Sequence, residues 1–269
     1  MPILETGGLG RIHYEVSGQG PAVFFLHSAL TDSRQWVKQI AALSDRFCCV
    51  CYDLIGSGKS SDSTTLFDPA DSLFALMDYL KVSGAHLVGS SVGGSIALHA
   101  AIRRPDRIAS LFLAGTGMFG YEPDTESDEE PPVYREYETA LSAGNIEGVA
   151  AGAEIIWFQG LNGSVADRPE GARRQFAAMN RERLENHPWQ GPTYMDIDDA
   201  RAVSLVTVPT MVLIGEDDTA YCQSLADFLQ TNLSLEALHR IPRTAHFPNL
   251  THPEMFNRLL GGWLQRISS

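Results

Sequence analysis

Residues 86–101 read HLVGSSVGGSIALHAA: an apolar run, a turn of glycine and serine, then a stretch with helical spacing. At its centre Ser91 has Gly89 two positions before it and Gly93 two positions after it. A chain that reverses from strand to helix in so tight a turn forces the central residue into a strained backbone conformation, and the flanking positions must be small to avoid collision. Both glycines meet that need. Such a turn lifts the Ser91 hydroxyl to a helix N-terminus, where partial positive charge favours a developing anion. The chemistry it suits is nucleophilic acyl transfer. A glycine-rich packing turn is the bland alternative, and residues elsewhere in the chain must decide.

A serine hydroxyl is a poor nucleophile at neutral pH and needs a base, which in turn needs an acid to orient it. The apolar run TMVLIG (210–215) is followed by Glu216, Asp217 and Asp218, carboxylates at the C-terminal end of a predicted strand, where ligands gather in open α/β sheets. His246 follows the next strand, in RTAHFPNLTHPEMF, 28 residues beyond Asp218. Among the eight histidines, His13 and His239 sit in strand patterns, His99 in a helix and His252 at a helix start, places where histidine is more often structural.

DLIGSGKS (53–60) offers a competing chemistry. A phosphate-binding loop reads G-x-x-x-x-G-K-[ST] and opens a helix at its Lys-Ser/Thr pair. Gly58, Lys59 and Ser60 fit the end of that pattern, but Asp53 stands at its opening, a carboxylate beside the proposed polyphosphate. The SDSTTLFDP that follows is rich in helix breakers, so the helix N-terminus of an anion site is missing. The stretch needs another explanation.

The elements that must position these residues are short apolar runs alternating with helical patterns. Strands are predicted at 11–16, 22–27, 47–53, 85–90, 108–115, 210–215 and 236–242, and helices at 34–44, 68–82, 92–103, 220–231 and 252–266. Leu73, Leu76, Met77 and Leu80 recur at the three-and-four spacing of one buried helical face. Continuous apolar strands separated by helices imply a mostly parallel, doubly wound sheet covered on both faces. Between 118 and 200 strand patterns vanish and helical ones dominate, as in YREYETALSAG, VAAGAEIIWF and EGARRQFAAMNRERLEN. The chain therefore reads as an α/β core, 1–117 and 201–269, with a helical cap, 118–200, inserted into it.

The 269 residues, 44% hydrophobic and 20% charged, suffice for one large core. The net charge of −13 disfavours nucleic acid and anionic membranes as partners, because both require basic faces. No run approaches 18 apolar residues, and the N-terminal stretch has no basic, apolar leader, so a cytoplasmic protein is expected. Six acids crowd into residues 122–132, EPDTESDEEPP, read as a solvated loop near the cap entrance that disfavours strongly anionic substrates. Cys48 and Cys49 are adjacent on a predicted strand and face opposite ways, so they do not converge on a metal; with Cys51 and Cys222 they read as small hydrophobes.

Taken together, these motifs resemble an α/β-hydrolase of the capped single-domain type over nearly the whole chain outside the cap. The Gly89–Gly93 turn is similar to the family's nucleophile elbow, GEDD to its G-x-x-D acid motif, and AHFPNLTHPEMFN to its histidine loop. The resemblance implies Ser91 as nucleophile, Asp218 as acid and His246 as base. FLHSALTDSRQW resembles the family's oxyanion loop, which implies the backbone N–H groups of Ala29 and Val92 as oxyanion donors and a loop-stabilising part for His27. YDLIGSGKSS is similar to the family's D-x-R-G-x-G-x-S turn beneath the site, which accounts for the false phosphate loop. Ser28 and Ile55 depart from the family's glycine and arginine at those positions.

HSALTD is closer to the variant of enol-lactone hydrolases. The resemblance implies a hydrolase needing neither metal nor cofactor and acting on a small carboxylic ester or lactone, with Phe119, Trp157 and Phe158 as candidate pocket walls. Carbon–carbon bond hydrolases of the family usually carry tryptophan after the histidine, where this chain has Phe247. A triad-bearing ligand receptor is a third class, a cofactor-free oxygenase a minor one, and oligomeric state is not legible.

Overall fold

Side chains alternate across a strand, so each fully apolar run in this sequence becomes a wall with two buried faces. The computed structural model describes residues 2–63, 65–123, 131–164, 168–187 and 193–268. Among these, eight strands form one sheet: β1 Ile3–Glu5, β2 Arg11–Ser17, β3 Ala22–Leu26, β4 Cys48–Tyr52, β5 Ala85–Ser90, β6 Ile108–Ala114, β7 Thr210–Gly215 and β8 Leu235–Ile241. Their spatial order is β1-β2-β4-β3-β5-β6-β7-β8. β2 runs antiparallel to β1 and β4, and every other neighbouring pair is parallel. The seven predicted strands appear to within one residue at each end; β1, with one buried side chain in three, has no periodicity to read.

The described helices are α1 Val37–Leu43, α2 Pro69–Tyr79, α3 Val92–Arg103, α4 Pro132–Ser142, α5 Ile146–Ala153, α6 Glu170–Asn186, α7 Asp199–Ala202, α8 Ala220–Asn232, α9 Pro248–Thr251 and α10 Pro253–Ile267. The predicted 34–44 helix is split: Ser33–Trp36 winds as 3-10 turn before α1. Helix starts follow local chemistry. Asp68 caps α2 by accepting from Ala70 N–H at 2.9 Å, with Pro69 at the first helical position.

Alternation sorts the core into two layers. Phe24, Leu26, Leu87, Leu111, Leu113 and Val212 face one side with Leu73, Leu76 and Met77 of α2. Val23, Phe25, Val88, Phe112, Met211 and Leu213 face the other with Trp36 and α10's Phe256, Leu260 and Trp263. Truncating a side chain such as Phe112, wholly buried between Phe256 and Trp263, costs roughly 3–5 kcal/mol. Cys49 and Cys51 lie in the second layer and Cys48 packs against the first, as the strand alternation requires.

Between β6 and β7 the described residues hold helices α4–α7 and a π-helical segment, Glu154–Gln159, and no strand. Most of the acidic segment, residues 124–130, lies outside the described residues. Among the described residues no helix is long and apolar enough to cross a membrane.

Candidate active site

β5 ends at Ser90 and α3 begins at Val92, leaving a single residue for the reversal. Ser91 makes it at φ 54°, ψ −121°, a conformation costing a non-glycine residue of order 1–3 kcal/mol. The strain is held by packing. A Cβ on Gly89 would lie 2.6 Å from Gly93 O, and one on Gly93 would collide with Leu26 O and come within 2.6 Å of His27 O. The glycines two before and two after Ser91 are thus required by contact, as the motif predicts. Ser91 is half-buried, and Val92 N–H heads α3, one of the donors a helix cannot satisfy by itself.

The turn after β7 carries Asp218 to His246. Both Asp218 carboxylate oxygens lie 3.0 Å from His246 Nδ1, and Asp218 Oδ1 also accepts from Thr219 N–H at 2.8 Å. Asp217 points elsewhere: its Oδ2 accepts from Arg168 Nη2 at 2.8 Å. The buried Arg168 also donates to the carbonyls of Phe158, Gln159 and Arg243, tying the π-helical segment to the loop before His246. His246 is itself held by its backbone, donating to Trp157 O at 3.0 Å. π-helical turns often mark functional sites, and here one supplies that anchor.

Gly115 joins the two halves. Ser91 N–H donates to Gly115 O at 3.1 Å, and a side chain on Gly115 would lie 3.0 Å from His246 Nδ1 and 3.2 Å from Asp218 Oδ2. Among the described contacts no hydrogen bond joins Ser91 Oγ to His246, so the acid–base half is closed and the base–serine half is open, as is common without substrate. Because Nδ1 faces a carboxylate it carries the proton, leaving Nε2 as the lone pair. Burial disfavours the imidazolium, but the Asp218 charge outweighs it and holds the His246 pKa well above the ordinary 6.5.

His27 shows the opposite balance. Its Nδ1–H donates to Ser28 O at 2.8 Å while Nε2 accepts from Leu54 N–H at 2.9 Å, a pairing that only the neutral ring satisfies. Burial accordingly lowers its pKa. His27 thus ties the loop bearing Ala29 to the 53–60 turn. Ala29 itself is exposed, and its N–H has no partner among the described residues.

The 53–60 turn has its own carboxylate in the place of a phosphate. Asp53 accepts from Ser33 N–H at 2.8 Å, Lys59 N–H at 2.9 Å and His13 Nδ1 at 2.9 Å. Burial resists its charge, but those donors hold its pKa well below the usual carboxylate range. Gly58, at φ 56°, leaves room for that carboxylate, which a Cβ there would strike.

Of the candidate walls, Trp157 is half-buried with its ring 5.2 Å from Tyr137, and Phe119 is half-buried against Tyr194 at 5.7 Å. Phe158 is only 1% exposed and stacks on Phe176, which packs on Phe247. Its ring serves packing between the 118–200 segment and the histidine loop. Cys222, read from the sequence only as a small hydrophobe, lies beside the histidine: its Sγ is 3.7 Å from His246 Nδ1. Asp218, Cys222 and His246 bring a carboxylate oxygen, a sulfur and an imidazole nitrogen within 4.8 Å of one another. A cation there would need the Nδ1 lone pair and a thiolate, yet Nδ1 is protonated toward Asp218 and burial pushes the thiol pKa up. The geometry favours the hydrogen-bonded pair over metal ligation.

A family model described as alpha/beta hydrolase fold matches residues 21–253. The chain is 24% identical to 3-oxoadipate enol-lactonase 1 of Acinetobacter baylyi over 98% of this chain and 97% of that protein. It is 26% identical to a strigolactone esterase of Arabidopsis thaliana over 96% and 98%. The crystal structure of an enol-lactonase from Burkholderia xenovorans superposes with a TM-score of 0.75 at 21% identity, covering 98% of this chain and all (100%) of that one, which speaks for the fold.

Proposed function

The chain belongs to the alpha/beta hydrolase fold family, and from that premise we propose that it cleaves a small carboxylic ester or lactone through an acyl-enzyme on Ser91. The observation that carries this reading is the closed Asp218–His246 pair, linked through Gly115 to a serine at positive φ. Ser91 Oγ attacks the carbonyl carbon while His246 Nε2 takes its proton; the proton then passes to the leaving alkoxide as the C–O bond breaks. Water, deprotonated by the same nitrogen, attacks the acyl-enzyme, and Ser91 leaves with the proton returned. Asp218 keeps Nδ1 protonated and stabilises the imidazolium in both halves. Ala29 and Val92 N–H groups receive the tetrahedral oxyanion, donors of a kind worth about 3–4 kcal/mol each.

In this reading residues 118–200 form a cap that roofs the site and excludes bulk water, with Phe119 and Trp157 as walls and Phe158 packed behind them. The relatives named for enol-lactone and ester substrates support the substrate class. A cytoplasmic setting fits the four unpaired cysteines. The test is kcat/KM for lactones and for an acyl-length series of aryl esters, with Ser91→Ala as control. Rates should peak at short chains and vanish in the variant. A steady rise through long chains with activation at a lipid interface would sink the small-substrate reading, and turnover surviving Ser91→Ala would remove the nucleophile.

A further inference from the structure

The loop after β3 uses its backbone donors unevenly. Ser28 N–H donates to Gln35 Oε1 at 3.1 Å, Leu30 N–H to Ser28 Oγ at 3.3 Å and Thr31 N–H to Ser28 O at 3.2 Å. Of residues 28–31, Ala29 is left with an open N–H. The groups that occupy the other three donors extend into a polar network of Ser28, Thr31, Gln35 and Asn249. All four are buried, none more than 1% exposed, so water does not compete for their hydrogen bonds and each depends on the next.

The direction of the Ala29 N–H is set from its far side. A trans peptide group is planar, with N–H and C=O opposed, and the carbonyl that shares a plane with Ala29 N–H is that of Ser28. Ser28 O accepts from His27 Nδ1 at 2.8 Å and from Thr31 N–H at 3.2 Å, so Ala29 N–H points away from both. Gln35 fixes the preceding peptide group through Ser28 N–H, and Gln35 is itself oriented. Its Oε1 receives the Thr31 hydroxyl at 2.5 Å, its Nε2 donates to Asn249 Oδ1 at 3.4 Å, and Asn249 Nδ2 donates back to Gln35 O at 3.0 Å. With the Thr31 proton given to Gln35, the Ser28 hydroxyl 3.1 Å away donates to Thr31, so the donors run in one direction from Ser28 to Asn249. Asn249 lies on α9, three residues after His246.

We propose that Gln35, oriented by Thr31 and Asn249, is a positioning residue that aims the Ala29 N–H at the oxyanion and ties its loop to the histidine loop; this rests on the hydrolase reading of the Ser91 site. His27 fastens the same peptide group to the 53–60 turn, whereas the Gln35–Asn249 exchange fastens it to the segment that carries the base. Donor and base are thereby held in one frame. Ser28 adds the hydroxyl that occupies Leu30 N–H, leaving Ala29 as the open donor. Such a donor acts only where the oxyanion forms, and a misplacement of about 1 Å costs about 100-fold in rate.

The test replaces these side chains at nearly constant volume. Gln35→Met and Thr31→Val should each lower kcat by about 30- to 100-fold with KM within about threefold, and Thr31→Ser, which keeps the hydroxyl, should restore most of the rate. Gln39→Met is the control. Gln39 Nε2 donates to Asn249 O at 3.2 Å and to Asn257 Oδ1 at 3.0 Å, and among the described contacts it bonds to none of residues 28–31. That variant should lower the melting temperature and leave kcat within about threefold. Melting temperatures that fall while kcat holds in Gln35→Met and Thr31→Val, or a kcat loss in Gln39→Met equal to theirs, overturns the inference; if Gln35→Met does not fold, the Thr31 pair decides. Amide exchange read by NMR needs no turnover, and Ser28 N–H should exchange at least about tenfold faster in Thr31→Val than in the wild type, with the amides of β5 unchanged. If no ester or lactone is cleaved but Ser28 loses protection in this way, the hydrolase reading fails and the tie between the loops stands. Unchanged protection at Ser28 removes the tie.

Discussion

Cys222 Sγ lies 3.7 Å from His246 Nδ1, the same nitrogen that Asp218 holds at 3.0 Å. The thiol sits on the first turn of α8, directly after the acid, where Thr219 caps the helix by accepting from Cys222 N–H at 3.3 Å. Its pKa is raised by burial and by the Asp218 charge, so it faces the pair as a neutral, weakly polar group that excludes water.

Cys222→Ala should therefore keep kcat within about threefold and cost about 1–2 kcal/mol of stability, the scale of a small buried truncation. A loss of 100-fold or more with an unchanged melting curve would give the thiol a direct part in the chemistry. In the native protein iodoacetamide should reach the half-exposed Cys48 before Cys222, Cys49 or Cys51, the last two having thiols pushed up to about 12 by burial. Peptide mass mapping before and after denaturation reads the order.

Asp218→Asn should lower kcat by about 10⁴-fold, because an amide cannot stabilise the imidazolium and favours the wrong tautomer. Asp217→Asn, which loosens only the Arg168 tie, should cost far less. Activity requires neutral His246, so the wild-type rate should rise with pH around a midpoint above 6.5, and residual Asp218→Asn activity should show a lower midpoint. The raised pKa also adds stability that is complete below about pH 6.5 and is lost as pH rises through the folded value. Asp218→Asn should thus destabilise most on the acid side. Equal kcat losses in the two variants would reassign the acid.

At Gly93 two effects oppose each other. Alanine in a helix gains up to about 1 kcal/mol over glycine, but this Cβ would strike Leu26 O and His27 O, backbone atoms that cannot swing aside. The collision wins, at roughly 1–3 kcal/mol. Gly93→Ala should lower the melting temperature and, by displacing the loop bearing Ala29, reduce kcat more than KM. A variant as stable and active as the wild type would show that the elbow is looser than its contacts indicate.

Asp53→Asn should destabilise by about 2–4 kcal/mol at neutral pH, since one carbonyl oxygen must replace a carboxylate that accepts from three donors. The native pKa is depressed, so the stabilisation is present above the unfolded value near 3.9 and is lost as pH falls toward the folded one. The melting-temperature gap between wild type and variant should hold at pH 6 and shrink below about pH 4. A gap independent of pH would mean that the charge is not what matters there.

The primary sequence determined whatever depends on neighbours along the chain. Two buried faces per apolar run dictated a parallel, covered sheet, and the sterics of a one-residue reversal dictated glycines at 89 and 93 with Ser91 between them. The loops of Asp218 and His246 were legible because each follows a strand end; choosing Asp218 over Asp217 as the proposed acid took a family resemblance, and only in space does Asp218 face His246 while Asp217 pairs with Arg168. Tertiary structure alone decided the rest. Cys222 meets His246 because the first turn of α8, just after Asp218, lies against the histidine loop, and Phe158 serves packing while Trp157 beside it anchors His246 through its carbonyl.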